Sequence, residues 1–232
     1  ISEGYALSFD GVDDEVNITG DGFISGNKPR TISVWADGCC GNIVALGDGL
    51  AYNERFSILI KGDRKVIIIG ESNDWDTGYS LPENEMTHLV TTHDGTTTKL
   101  YANGIFQGEA SRTYNTDSSM PIMIGTNTDN RNDEYFDGDI DEVAIWNDAL
   151  TDAEITELYN SGSGLDASSN SGNYTSSSNL QGYWRMNEGT GSTIADESGN
   201  SNNGTINGAT FVSAYMMTNM FKIPYHHIEH YM

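Results

Sequence analysis

The sequence predicts an all-β protein built as two packed antiparallel sheets with one short helix, and three observations lead there. Runs such as YALSF, TISVWA and TKLYA alternate apolar and polar residues, and a period of two turns one face of each run towards a core. The chain holds 26 glycines but only 4 prolines, so glycine punctuates its turns and no proline-rich spacer divides it. A helix signature occurs in one place only. At 232 residues the length suits one large sandwich, or one domain with a small appendage. The 37% hydrophobic content is enough, because a sandwich strand buries one face.

The elements follow in chain order. Residues 5–18, YALSFDGVDDEVNI, alternate around Asp10-Gly11 and read as a strand entering the sandwich. TISVWA (31–36), NIVALG (42–47), RFSILI (55–60) and KVIIIG (65–70) read as separate short strands, with GDRK closing a hairpin. In THLVTTHDGTTTKLYANGIFQGE (87–109), Asp94-Gly95 and Asn103-Gly104 supply the positive φ of tight turns and make a three-strand meander. IMIG (122–125), an Asp/Asn-rich loop (126–137) and DIDEVAIW (139–146) come next. TDAEITELYNSG is the helix: Thr151 caps it, Glu154 completes a capping box and Gly162 marks the stop. Residues 161–181 are Ser/Asn/Gly-rich and read as a connection. GYWRMNEG (182–189) is a further alternating strand, and 195–212 joins an Asp/Asn/Gly loop to another. The tail, 213–232, is rich in methionine and aromatic residues.

Charge narrows the function classes. Thirty-four acidic against 11 basic residues give a formal net charge of −23, which repels phosphate backbones and anionic membranes. Nucleic acid is therefore not an expected partner, and no run is long enough for membrane insertion. Cys39 and Cys40 are adjacent, a spacing at which a disulfide is strained, and they form neither a disulfide framework nor a zinc spacing. The opening at Ile1, inside a strand-like pattern and without a signal peptide, implies a natural polypeptide that begins earlier.

ALSFDGVDDEV, TISVWA, HLVTTHDGTTTKLYANGIFQGE and FDGDIDEVAIWNDALTDAEITELY cover about residues 5–160 in order. Together they resemble the laminin-G-like, concanavalin A-like jelly-roll family, including its pentraxin-related members. That resemblance implies a jelly-roll sandwich with its core in residues 1–160. In the family a strand similar to GYWRMNEG, followed by DESGNSNNGTI, precedes the ALSFDG strand, whereas here it follows the helix. Residues 182–212 thus either complete the same sandwich or begin a second laminin-G-like unit. Completion is favoured, because a sandwich lacking that strand has an open edge.

Calcium takes six to eight oxygen ligands on a flexible loop, and two loops offer them. In one, Asp196, Asn200 and the carbonyls from Gly199 to Gly204 are oxygen-rich, and the resemblance pairs them with Asp141. In the other stand Asn127, Asp129, Asn130, Asp133 and Glu134. The resemblance to pentraxin-related members makes this a ligand-contacting calcium site assisted by Asn53 and Glu54. Ordinary turn chemistry uses the same residue types, and neither loop is an EF-hand. Trp75 and Tyr79 in NDWDTGY are the candidate sugar-stacking rings, while Trp35, Trp146 and Trp184 lie in strand patterns and belong to the core.

No catalytic constellation emerges. Asp139, Asp141 and Glu142 come nearest to a paired-carboxylate strand. His226-His227-Ile228-Glu229-His230 matches H-x-x-E-H, but Pro224 precedes it and no third ligand follows. Asn17, Asn173 and Asn203 head glycosylation sequons, which arise by chance in such a composition. The expectation is a non-enzymatic, calcium-supported recognition module, extracellular or on a cell or virion surface, whose partners are glycans or a surface glycoprotein. The competing expectation is a structural or assembly domain, forming homo-oligomers or larger assemblies through the tail.

Overall fold

The structure, a computed structural model, describes residues 4–19, 24–47, 51–128 and 134–213. The strands are β1 (Tyr5–Asp10), β2 (Glu15–Ile18), β3 (Arg30–Gly47), β4 (Arg55–Ile60), β5 (Lys65–Ile69), β6 (Trp75–Ser80), β7 (Thr87–His93) and β8 (Thr97–Ala102). They continue with β9 (Ile105–Ser111), β10 (Ile122–Ile124), β11 (Asp137–Trp146), β12 (Leu180–Trp184), β13 (Thr193–Ile194), β14 (Gly204–Asn207) and β15 (Thr210–Ser213). One helix, α1 (Asp152–Tyr159), lies between β11 and β12.

All ladders are antiparallel and form two sheets. The first runs β9-β8-β7-β3-β11-β1-β15, with β12 beside the C-terminal part of β11. The second runs β13-β14-β2-β10-β3-β4-β5-β6. The sequence reading divided TISVWA from NIVALG, but the structure joins them in one strand of 18 residues that serves both sheets. Its first half, Arg30–Ala36, pairs with β7, and its second half, Gly41–Gly47, pairs with β4. Gly41 permits the bend: its φ is +101° and a Cβ there would meet the Tyr135 carbonyl oxygen at 2.2 Å.

Between the sheets lie Leu7, Phe9, Val16, Ile18, Ile32, Val34, Phe56, Ile58, Ile124, Ile140 and Trp184, all buried. Residues 180–213 contribute directly to this core through Trp184, Met186, Ile194 and Ile206. Their strands also lie along the outer edges of β1 and β2.

A second, smaller core covers the outer face of the first sheet, where Tyr101, Trp146 and Tyr183 meet Ile155 and Leu158 of α1 and Ala167 and Tyr174 beyond it. The Ser/Asn/Gly-rich stretch is therefore a packed layer. Tyr174 is fully buried; its hydroxyl accepts from Trp146 Nε1 at 2.9 Å and donates to the Ala167 carbonyl at 2.7 Å. The helix also stops earlier than Gly162. Asn160, with φ of 47°, takes the left-handed C-cap position.

Candidate functional site

The outer face of the first sheet is shaped by a bulge. Between Asp141 and Ala144 the register of β11 against β3 shifts, and Glu142 sits there with φ of 50°. A non-glycine residue in this region stores strain, and bulges of this kind re-aim a side chain. Asp141 and Val143 are buried, while the Glu142 carboxylate accepts from the Tyr183 hydroxyl and, at 3.3 Å, from Arg185 Nε. Burial raises the Glu142 carboxyl above the usual glutamate range, although Tyr183 and Arg185 pull it down.

A cavity of about 200 Å³ opens beside this carboxylate. Ser33, Trp35, His88, Ala144, Trp146 and Tyr183 line it from the sheet, and Leu158 with residues 163–167 closes it from above. Arg185 reaches it with its guanidinium 3.9 Å from both Asp166 and Glu197. His88 is 2% exposed and shares a 2.7 Å hydrogen bond with Ser33 through Nε2. Its ring stacks on Trp35 at 5.0 Å and on Tyr159 at 6.1 Å.

The His88 Nδ1 has no hydrogen-bond partner among the described residues. Ser33 and His88 thus resemble half of a nucleophilic triad, but no carboxylate orients Nδ1. Burial also holds the imidazole down to about 3. A base that weak does not activate a serine near neutral pH.

The loop after β13 is closed by its own hydrogen bonds. The Asp196 carboxylate accepts from the backbone N–H groups of Tyr183, Ser198 and Asn202 at 2.9–3.0 Å. Asn200 turns its amide nitrogen to the carbonyls of Leu180 and Gln181, and Gly204 opens β14 opposite Ile18. Asp141 accepts from the Glu142 N–H, and burial, with Glu142 beside it, raises its carboxyl well above the usual range. No hydrogen bond joins Asp141 to Asp196 or Asn200 among the described residues. Asp196 serves three backbone donors and so closes the turn, while an ionised carboxylate keeps acceptor capacity beyond three donors.

Asn127 and Glu134 join a polar network with Asn42 of β3 and Arg55 of β4. Glu134 accepts from Asn42 and Asn127 at 2.6 Å and from Arg55 at 3.2 Å. Arg55, 1% exposed, also lies 3.8 Å from Glu71, whose carbonyl accepts from the Asn53 N–H. The Asn53 side-chain oxygen is buried without a hydrogen-bond partner, and its φ is 66°. A buried, unsatisfied amide oxygen suits an oxygen-seeking cation, and Asn53 reaches the Arg55 network through the Glu71 backbone. Asp129, Asn130 and Asp133 lie outside the described residues. Asn42 and Arg55 were missed by the sequence reading, because in a strand pattern they look like outward polar positions.

Trp75 corrects the stacking expectation. Paired with Ile68 in the β5–β6 ladder, it points inward and is 8% exposed within the main core, with Tyr79 packed against that core. A ring so buried offers a sugar no face. Among the described residues, the clusters of His, Cys, Asp and Glu close enough to share a metal are Cys39, Cys40 and Asp137, and Asp10, Asp13 and Asp14. No helix among them is long and apolar enough to cross a membrane.

A two-sheet antiparallel sandwich with its long bent strand and one short covering helix defines a lectin-like architecture. The chain belongs to the concanavalin A-like lectin/glucanases superfamily, whose family model matches residues 10–156. Among solved structures it is similar to a Bacteroides ovatus protein provisionally described as carbohydrate binding. The TM-score is 0.70 at 18% identity over 92% of this chain, which spans 60% of the length of that protein. It is also similar to a heptameric pentraxin of Limulus polyphemus, at 0.55 and 16% identity over 68% of this chain and 82% of the other. The fourth domain of an extracellular arabinanase of Geobacillus stearothermophilus, solved with arabinotriose, matches at 0.52 and 23% identity over 66% of this chain and 76% of the other. No curated protein sequence matches the chain.

Proposed function

We propose that this chain is a non-catalytic module that binds glycans outside the cell or at a surface, with calcium drawn to Asn53, Asn127 and Glu134. The buried, unpartnered side-chain oxygen of Asn53 carries the reading, because such an atom is costly unless a ligand completes it. Asn53, Asn127 and Glu134 would hold the ion, and a bound calcium would offer open coordination positions to sugar hydroxyls. The net charge of −23 favours cation capture. The carbohydrate-binding description of the Bacteroides ovatus protein and the arabinotriose on the arabinanase domain support glycans as the ligand class. The weakly basic Ser33–His88 pair is consistent with binding without turnover.

The test is a glycan array read with calcium and with EDTA. Some oligosaccharides should be retained in calcium and released by the chelator, with Asn53→Ala weakening them about tenfold or more. An array on which no glycan depends on calcium would overturn the proposal.

A further inference from the structure

We infer that the cavity between the outer face of the first sheet and residues 158–167 is a second, metal-independent site that takes one uncharged sugar unit. Its volume of about 200 Å³ far exceeds the 10–15 Å³ or so that one water needs. It accommodates a single ring rather than a chain. Ser163 and Asp166 are exposed at its edge, which gives a ligand an entry.

Three features select the ligand. His88, almost wholly buried on the cavity wall, keeps Nδ1 without a partner. That nitrogen is closed off inside the protein, so the ring serves the cavity as a wall and leaves hydrogen bonding to the other lining groups. The charges then decide between sugars. Arg185 faces Glu142, Asp166 and Glu197, one cation against three carboxylates, so a uronic or sialic acid is repelled.

The guanidinium in turn disfavours a cationic ligand. At 3.9 Å its ion pairs with Asp166 and Glu197 are beyond hydrogen-bond reach, which leaves N–H donors for a ligand oxygen, while the carboxylates accept from hydroxyls. Trp35 adds an aromatic wall. The left-handed Glu142 at the bulge places its carboxylate on this face at a conformational cost, as binding sites commonly do. The metal-competent clusters found among the described residues lie elsewhere.

Ligand-observed NMR titration in EDTA tests the assignment, using glucose, galactose, mannose and arabinose against glucuronic acid and N-acetylneuraminic acid. At least one neutral sugar should bind the wild type, while the acids do not. Ala144→Leu, which fills the cavity from its floor, should weaken that binding more than tenfold. Arg185→Gln, at a part-exposed position, should weaken it severalfold. Near-UV circular dichroism reports whether Ala144→Leu folds; if it does not, Arg185→Gln decides.

No neutral sugar binding in EDTA, equal binding of the acids, or full affinity in the folded Ala144→Leu protein or in Arg185→Gln would each overturn the proposal. Because EDTA is present throughout, failure here leaves the calcium-dependent reading standing, and failure on the array leaves this one.

Discussion

Burial holds the His88 imidazole down to about 3 and that of His93 to about 4, whereas histidine in an unfolded chain titrates near 6.5. Between those values the unfolded chain binds protons that the folded protein refuses. Stability is therefore complete above about pH 6.5 and drains as pH falls, by up to about 1.4 kcal/mol per unit for each histidine. Asp141 and Glu142 act in the opposite sense. Burial raises both carboxyls, so the folded protein takes up their protons first and is eased on the same descent. Replacing His88→Asn removes one titration, and urea midpoints measured from pH 7 to 4.5 should then fall less steeply than in the wild type. An unchanged slope would show that His88 is not held neutral. At this scale the sequence is least informative. Nothing in THLVTTH separates His88, paired with Ser33, from His93, bonded to Asn27 and Thr98, because the difference lies in partners far along the chain.

Helix α1 shows how one residue can serve two elements. Thr151 and Glu154 form the capping box, which TDAE announces openly because both halves are local. What the motif does not announce is that Glu154 is buried and that its other oxygen accepts from the Thr175 N–H and, at 2.6 Å, from the Ser176 hydroxyl. The carboxylate therefore pins the Ser/Asn/Gly-rich layer as well as starting the helix. Thr151→Ala should cost about 1 kcal/mol in chemical denaturation. Glu154→Ala should cost more and, unlike Thr151→Ala, should accelerate amide exchange across residues 165–180. Equal exchange in both variants would mean that the layer is held by Tyr174 alone. The Asn103-Gly104 turn was legible for the same reason as the capping box: its φ values of 51° and 74° follow from two adjacent residue types. The continuity of β3 was not, since Cys39 and Gly41 look like a break until strands on both sides are known.

At the scale of the molecule, the two sheets depend on residues 180–213. These lay β12 along β11, β14 along β2 and β15 along β1, and they place Trp184 and Met186, both fully buried, in the main core. A protein ending at Asn179 should lose the cooperative unfolding transition and near-UV dichroism of the full chain, and it should associate through its exposed strand edges. A monomeric, cooperatively folding 1–179 fragment would show that the C-terminal strands are an addition to a self-sufficient sandwich. Alternation made GYWRM recognisable as a strand. Its partner in β11 was not recognisable, because the pairing of Trp184 with Val143 leaves no local trace.

That same pairing sets a timetable for synthesis. Tyr5 aligns with Ser213 and Val16 with Ile206, so β1 and β2 wait for partners that are made much later. At about 5–20 residues per second, their outer edges stay bare for roughly ten to forty seconds. The interval falls on the ribosome, where a holding chaperone would find its natural client in the segment that carries β1 and β2.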